Sequence, residues 1–150
     1  MVRRERGRVV FPDRLEIPNT GRFVSRTALT IRCINKTGGP LAAGLPVQVD
    51  GDDATSGLPK VKAANAAAAG TLPAAGLLAD VAANNAEVDL VYFGVATTAL
   101  DTSLSAIGAP VYVADGGGLG LVQGTVRDVI GQVHSLAVAG KVFVNPKQVE

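Results

Sequence analysis

A single histidine and a few serines are the residues of this chain whose types could support nucleophilic catalysis. His134 could serve as a general base for a serine nucleophile, with an aspartate orienting its imidazole ring. The candidate nucleophiles are Ser103, Ser105 and Ser135, and the candidate orienting groups are Asp101 and Asp128. No nucleophile-elbow sequence surrounds any of these serines. We therefore predict that His134 lies on a strand face and that the protein is not an enzyme.

Residues that bind metals are too sparse to predict a zinc site. Zinc needs several cysteine or histidine ligands, and the sequence has one of each, Cys33 and His134. Three aspartates in one polar segment, Asp50, Asp52 and Asp53, could share a calcium ion. The rest of the EF-hand spacing, including its bidentate glutamate, is missing. We predict a solvated turn at these aspartates, and neither a metal nor a cofactor.

A glycine-rich stretch over residues 110–120 raises the possibility of phosphate binding. It reads PVYVADGGGLG, a short β-type run followed by a loop with four glycines. The dinucleotide pattern Gly-x-Gly-x-x-Gly fails, because its last position falls on Leu121 or Gln123, and no Gly-Lys-Ser or Gly-Lys-Thr is present. We therefore predict a hairpin tip after Asp115, in which glycine supplies the positive φ angles.

Sugar chemistry and nucleic-acid binding are disfavoured for related reasons. Glycosidases need a marked pair of carboxylates and usually line a groove with aromatic rings, whereas this chain has no Trp and two Tyr. Four arginines near the N-terminus, Arg3, Arg4, Arg6 and Arg8, could neutralise a few phosphates. The acidic remainder of the chain offers no aromatic stacking platform. An arm that binds protein is the interpretation we adopt, with no nucleic acid as partner.

Length and charge limit the remaining classes. The 150 residues suffice for one domain, and the scarcity of aromatic residues, 4%, predicts modest burial per side chain that an oligomer could supplement. Residues 1–36 carry nine basic and three acidic residues, whereas residues 37–150 carry five basic and ten acidic ones. This asymmetry fits either a leader that contacts a negative partner or an ordinary solvated strand. No apolar run is long enough to predict a membrane span.

The chain is predicted to be β-rich, with no long amphipathic helix. Residues 65–76 are expected to form a loop or a single helical turn, and Ala139 and Gly140 to form a tight hairpin connection. Leu29, Ile31 and Cys33 are expected on one face of a half-buried strand. The predicted strands are 8–11, 21–35, 45–49, 58–64, 77–82, 88–97, 111–113, 121–126, 131–138 and 141–145. The first of these could instead be part of an extended arm. This pattern predicts an all-β barrel or sandwich.

An internal repeat divides the predicted domain into two similar strand-hairpin modules. GLPVQVDG at 44–51 resembles GAPVYVADG at 108–116, and the hairpin segment 76–94 parallels 131–145. We place the modules at about 41–97 and 104–145 within a single β-domain, residues 21–150. Residues 1–20 are expected to be an extended N-terminal arm.

Several stretches resemble the capsid decoration, or cement, proteins of tailed bacteriophages. The stretches are KAANAAAAGTLPAAGLLAD at 62–80, ALDTS at 99–103, GAPVYV at 108–113 and IGQVHSLAVAGKVFVN at 130–145. Members are expected to have a Pro-Ala-x-Gly strand entry, a Leu-Asp-Thr-Ser corner, a Gly-x-Pro-x-Tyr-Val strand and a closing Val-Gly-x-Val strand. Ile130 replaces the first valine of the last motif. The resemblance covers a little over half of the chain and leaves out the first 35 residues.

The resemblance implies a structural role and no catalytic residues. It implies a β-barrel or β-tulip-like domain, a homotrimer, that is made in the host cytoplasm and binds the major capsid protein on the outer surface of the virion. The arm would supply the contact with the capsid or with a neighbouring copy, through Arg3, Arg4, Arg6, Arg8, Val9, Val10 and Phe11. The alternative is a phage fibre, tail or host-binding module, with the loops 50–57 and 115–120 as recognition tips.

Overall fold

The computed structural model describes the backbone of two short N-terminal strands and all of residues 27–146. The strands are β1 (Arg3–Glu5), β2 (Arg8–Val10), β3 (Ala28–Asn35), β4 (Pro46–Asp52), β5 (Pro59–Ala63), β6 (Gly76–Leu78), β7 (Glu87–Thr97), β8 (Pro110–Val113), β9 (Leu119–Gly120), β10 (Val129–Val133) and β11 (Lys141–Val144). A single 3₁₀ turn, Ala69–Thr71, lies between β5 and β6, where the sequence predicts a loop or one helical turn. Among the described residues, no helix is long and apolar enough to cross a membrane.

Five strands close into a barrel, so the prediction of an all-β fold is confirmed. The order of pairing is β3, β5, β4, β6 and β7, and β3 also pairs with β7 to complete the circle. The β3–β5 pair is parallel and the other pairs of the barrel are antiparallel. Closure gives the strands of the barrel a partner on each side.

The remaining strands of residues 27–146 extend the sheet from the barrel in a repeated order. From the centre outward, one side runs β7, β6, β4 and β5, and the other runs β11, β10, β8 and β9, with β7 and β11 paired. The two predicted modules therefore have the same order of strand pairing. Gly76 of β6 and Gly131 of β10 hold equivalent places, because a Cβ atom at either would overlap a carbonyl of the adjacent strand, that of Val91 or Phe143.

Strands β6 and β7 contribute to two hydrophobic cores, one on each face. Leu78 and Leu90 pack inside the barrel with residues such as Val47, Val61 and Val88. Their neighbours Leu77 and Val91 point to the other face, because successive side chains of a strand alternate. There they join Val111, Ile130 and Val142 of the second module. The two modules therefore share one continuous sheet and a common buried layer.

Three of the finer strand predictions are wrong. Residues 121–126 form no strand, and the return strand of the second hairpin is β9 instead. The β10–β11 connection is not a tight turn, since seven residues, 134–140, separate the paired strands. In β3, Cys33 is buried but Leu29 and Ile31 are exposed. The register shift between Leu29 and Thr30 takes Leu29 out of the alternation, whereas Ile31 stays in register with Cys33. Strand β5 pairs with β3 only at Ile34 and Asn35, so Ile31 lies in the part of β3 that has a strand partner on one side only.

The two N-terminal strands form an antiparallel pair. Strand β1 pairs with β2 in the register Arg3 with Val10, Arg4 with Val9 and Glu5 with Arg8. The extended arm expected over residues 1–20 therefore includes two paired strands. Arg6 and Phe11 lie outside the described residues, so the role assigned to them, like that of the other arm residues, stays a prediction.

Candidate interaction surface

The groups considered for catalysis are each engaged in local structure or exposed, and they do not form a triad. Ser103 donates its hydroxyl to Oδ1 of Asp101 at 2.6 Å and its backbone N–H to the same oxygen at 2.9 Å. These two hydrogen bonds lower the pKa of the Asp101 carboxyl. Oγ of Ser135 accepts the backbone N–H of Lys141 at 3.0 Å. His134 is exposed and lies just after β10, which ends at Val133, so the prediction that it lies on a strand face is wrong.

Asp128, the other carboxylate considered for a triad, is fully buried. Its Oδ2 accepts the backbone N–H of Ala74 at 2.8 Å, which ties the linker before β6 to the start of β10. Desolvation by burial raises the pKa of its carboxyl, against the opposing effect of the Ala74 hydrogen bond. Within residues 27–146, its Oδ1 has no hydrogen-bond partner. Asp128 is thus a structural group that joins the two modules.

The three aspartates considered for calcium do not converge on one point. Asp50 forms an ion pair with Lys62 at 3.0 Å, while Asp53 accepts hydrogen bonds from Ser56 and lies 3.6 Å from the ammonium of Lys36. Asp52 belongs to the end of β4, opposite Pro59. Among the described residues, no group of three or more His, Cys, Asp or Glu side chains could hold a metal ion.

The glycine-rich loop is a hairpin tip between β8 and β9, as predicted. Gly116, Gly117 and Gly118 have φ angles of +87°, +93° and +84°, a region that favours glycine. The loop is held from outside, because Oδ1 of Asn65 accepts the N–H of Gly116 at 2.8 Å. Asp115 accepts both the N–H and the hydroxyl of Thr125, each at 2.8 Å. The backbone amides of the glycine-rich loop are therefore arranged for a turn.

Two loops that are joined by hydrogen bonds, 98–109 and 134–140, carry four exposed large apolar side chains. We define the aliphatic tip as the four side chains, given with their exposed fractions, Leu104 (100%), Ile107 (63%), Leu136 (47%) and Val138 (74%). Asp101 is the only Asp, Glu, Lys or Arg in these two loops. Apolar side chains gathered in this way commonly mark a surface that binds another protein.

Buried hydrogen bonds hold the two loops of the tip together. Thr102 is fully buried and donates its hydroxyl to the carbonyl of Ser135 at 2.6 Å, while the same oxygen accepts the N–H of Ala137 at 3.1 Å. Thr98 donates its hydroxyl to the carbonyl of Gly140 at 3.0 Å. Backbone bonds from Gly140 to Leu100 and from Thr102 to Ala137 complete the connection. The tip is therefore a fixed shape with exposed aliphatic ends.

A shallow apolar cleft of about 330 Å³ begins on the same loop as the tip. We call it the side cleft; its walls are residues 42–45 before β4, residues 99–101 and residues 118–119 of the glycine-rich hairpin. Leu45, Leu100 and Leu119 supply the large apolar side chains, and Asp101 is the only charged residue on its walls. The side cleft thus lies between the two modules, beside the aliphatic tip.

Sequence reasoning singled out the polar loops 50–57 and 115–120 and overlooked the aliphatic tip. Two features of the sequence could have indicated the aliphatic tip. One is the scarcity of charged residues in both loops, and the other is the Leu-Asp-Thr-Ser corner, in which Asp101 accepts a hydrogen bond within a turn and Thr102 is bonded to the second loop. The apolar residues themselves read as strand or core. Position in the fold, which hydropathy does not encode, decides that Leu104 and Ile107 face outward.

The fold and the surface define an all-β barrel protein with a charge-poor apolar face. Comparisons with protein-family models, with curated proteins and with solved structures give no match.

Proposed function

We propose that this protein is a structural component of a bacteriophage virion that binds the outer surface of the capsid and bridges neighbouring capsid subunits. The observation that carries the proposal is the aliphatic tip, a fixed and charge-poor apolar surface that costs solubility unless another protein covers it. Such a surface suits a protein that works by binding. The resemblance of residues 62–80, 99–103, 108–113 and 130–145 to decoration proteins supplies the virion context.

The mechanism follows from binding equilibria. A ligand that binds the assembled shell and not its separated subunits stabilises the shell by mass action. A protein that contacts several capsid subunits binds them cooperatively, because each contact raises the effective concentration of the next. The N-terminal segment, with Arg3, Arg4, Arg6 and Arg8 for polar contacts and Val9, Val10 and Phe11 as an apolar anchor, is the proposed contact with the shell.

The test is the occupancy of the protein on phage particles. Capsids that lack the protein are mixed with purified full-length protein or with a variant that lacks residues 2–20, and bound protein is quantified after sedimentation. We expect the deletion to reduce occupancy strongly. Unchanged occupancy would show that the arm is not the anchor. A fibre or tail role is the alternative, and labelled protein found on tails alone would favour it over the capsid surface.

A further inference from the structure

We propose that an extended segment of the capsid protein pairs with a free edge of strand β3 and so adds a strand to the barrel wall. We define the free edge as residues 30–33, on the side of β3 that faces away from β7. This contact rests on the proposed function, because it takes the capsid protein as the partner, and it names the kind of contact that is made. The described N-terminal strands β1 and β2 form a sheet of their own and are not paired with this edge.

Backbone groups at alternate residues of β3 point to the free edge. In an antiparallel pair, the N–H and C=O of every second residue face the partner strand, and those of the residues between face away. The N–H of Asn35 bonds to the residue just before β7, so Cys33 and Ile31 also direct their backbone groups to β7. The backbone groups of Thr30 and Arg32 therefore face the free edge. Within the described part of the chain, nothing is paired with them on that side.

A proline explains why β5 does not cover this edge. Strand β5 runs parallel to β3 and pairs with it only at Ile34 and Asn35. The next hydrogen bond of this parallel pair would run from the N–H of residue 59 to the carbonyl of Arg32. Residue 59 is Pro59, the first residue of β5, and proline has no N–H. The pairing of β3 with β5 therefore stops where the free edge begins.

The side chains at the free edge are exposed and only weakly protected against pairing. Ile31 is 40% exposed, although it lies on the same face of β3 as Cys33, which is buried inside the barrel. Edge strands of soluble proteins are commonly blocked by proline or by several charges, whereas this edge has one charged residue, Arg32, and no proline. Its donors and acceptors repeat at the spacing of an extended backbone, so the group that matches them is a further strand.

The charges beside the free edge define the chemistry of the added strand. By alternation, Arg32 of β3 and Lys60 of β5 lie on the outer face of the barrel, the first beside the added strand and the second at its end. Glu87 and Asp89 belong to β7, on the far side of β3, and lie 3.8 Å and 3.5 Å from Nε of Arg32 in exposed ion pairs, which are weak. We therefore expect an acidic residue on the outer face of the added strand and an apolar one opposite Ile31 on its inner face.

The first test uses Thr30→Pro, which removes the N–H that points to the free edge and leaves the bonds to β7 in place. Thr30→Val is the matched control, because it replaces the same side chain and keeps the N–H. Each full-length variant is titrated onto capsids that lack the protein, and bound protein is quantified after sedimentation. We expect Thr30→Pro to bind about tenfold more weakly than Thr30→Val, because a carbonyl of the added strand loses its donor.

The outcomes of this titration separate the edge contact from the proposed function. Equal affinities of the two variants would overturn the edge contact, while binding of the wild type would still support the proposed function. A wild type that does not bind capsids would overturn both.

A second test measures amide hydrogen exchange in the wild type and needs no variant. In the free protein, NMR should show fast exchange at Thr30 and Arg32 and slow exchange at Cys33, whose N–H faces β7. On capsids, mass spectrometry of peptides that cover the free edge should show that additional amides become protected. Protection of Thr30 and Arg32 in the free protein would show that this chain fills its own edge, which would overturn the proposal. Unchanged exchange on capsids would overturn it as well.

Discussion

A Cβ atom added at Gly140 would overlap the hydroxyl group of Thr102, because the two loops of the aliphatic tip touch at this point without intervening space. The Thr102 hydroxyl uses both its donor and its acceptor capacity on the loop 134–140, with Ser135 and Ala137 as partners. The two loops that carry Leu104 and Val138 are therefore joined by a buried contact.

Gly140→Ala should destabilise the protein through this close approach. The added methyl group must displace Thr102, and overpacking of a buried site costs about 1–3 kcal/mol of the free energy of unfolding. Gly39→Ala is the control, because nothing lies within 4 Å of a Cβ atom at Gly39. Urea unfolding of both variants checks the prediction, and equal stabilities would contradict it.

Thr102→Val should lower the free energy of unfolding while keeping the size of the side chain. The substitution leaves the N–H of Ala137 and the carbonyl of Ser135 without the hydroxyl, at a cost of about 1–3 kcal/mol. Thr30→Val removes a hydroxyl from an exposed position of β3 and should change stability by less than about 0.5 kcal/mol. If the two variants prove equally stable in thermal or urea unfolding, Thr102 does not hold the tip.

The buried carboxyl of Asp128 should make stability depend on pH. Its pKa is raised in the folded protein by desolvation, so the unfolded chain ionises first as the pH rises above about 3.8. The contribution of Asp128 to the free energy of unfolding should therefore fall from pH 4 until the pH passes its folded pKa, and then level off. Asp128→Asn removes this titration, so the variant should gain stability relative to the wild type over the same interval.

Urea unfolding at a series of pH values from about 4 to 8 measures this difference. Asp80→Asn, at an exposed aspartate, is the control for the loss of a carboxylate outside the buried layer. Parallel curves for the wild type and Asp128→Asn would show that the Asp128 carboxyl titrates alike in the folded and unfolded states.

The thiol of Cys33 should be nearly inert in the native protein. Burial, with a smaller contribution from the negative charge of Asp89, raises its pKa to about 11 from 9.0, and its thiol donates to the carbonyl of Val88 at 3.3 Å. The lower thiolate fraction alone slows reaction with a disulfide reagent by about a hundredfold at neutral pH, and burial adds to this. Absorbance of the released thiolate measures the rate, with Leu104→Cys as an exposed comparison. A native rate equal to the rate in guanidinium would contradict the prediction.

The internal repeat allowed most of the strand arrangement to be predicted from the sequence. Its two Gly-x-Pro-Val strands became β4 and β8, and its hairpins became β6–β7 and β10–β11. Gly76 and Gly131, which open those hairpins in the sequence, meet carbonyls of the adjacent strands in the same way. Spacing of this kind is predictable because turns and close backbone approaches require particular residue types, above all glycine.

Closure of the barrel and exposure of the tip could not be predicted in the same way. The parallel β3–β5 pair joins segments that share no local pattern, and it depends on the register of the whole sheet. Leu29 and Ile31 are exposed, although their alternation is typical of a buried face, because β5 pairs with β3 only at Ile34 and Asn35. Hydropathy gives the same value to Leu104 on the surface and Leu90 in the core.

Electron cryomicroscopy of phage capsids assembled with and without this protein tests the proposed function most directly. The account predicts additional density on the outer capsid surface at repeated lattice positions, contacting more than one capsid subunit, only in the particles that contain the protein. Capsids with identical surfaces in the two preparations, or density confined to the tail, would contradict it.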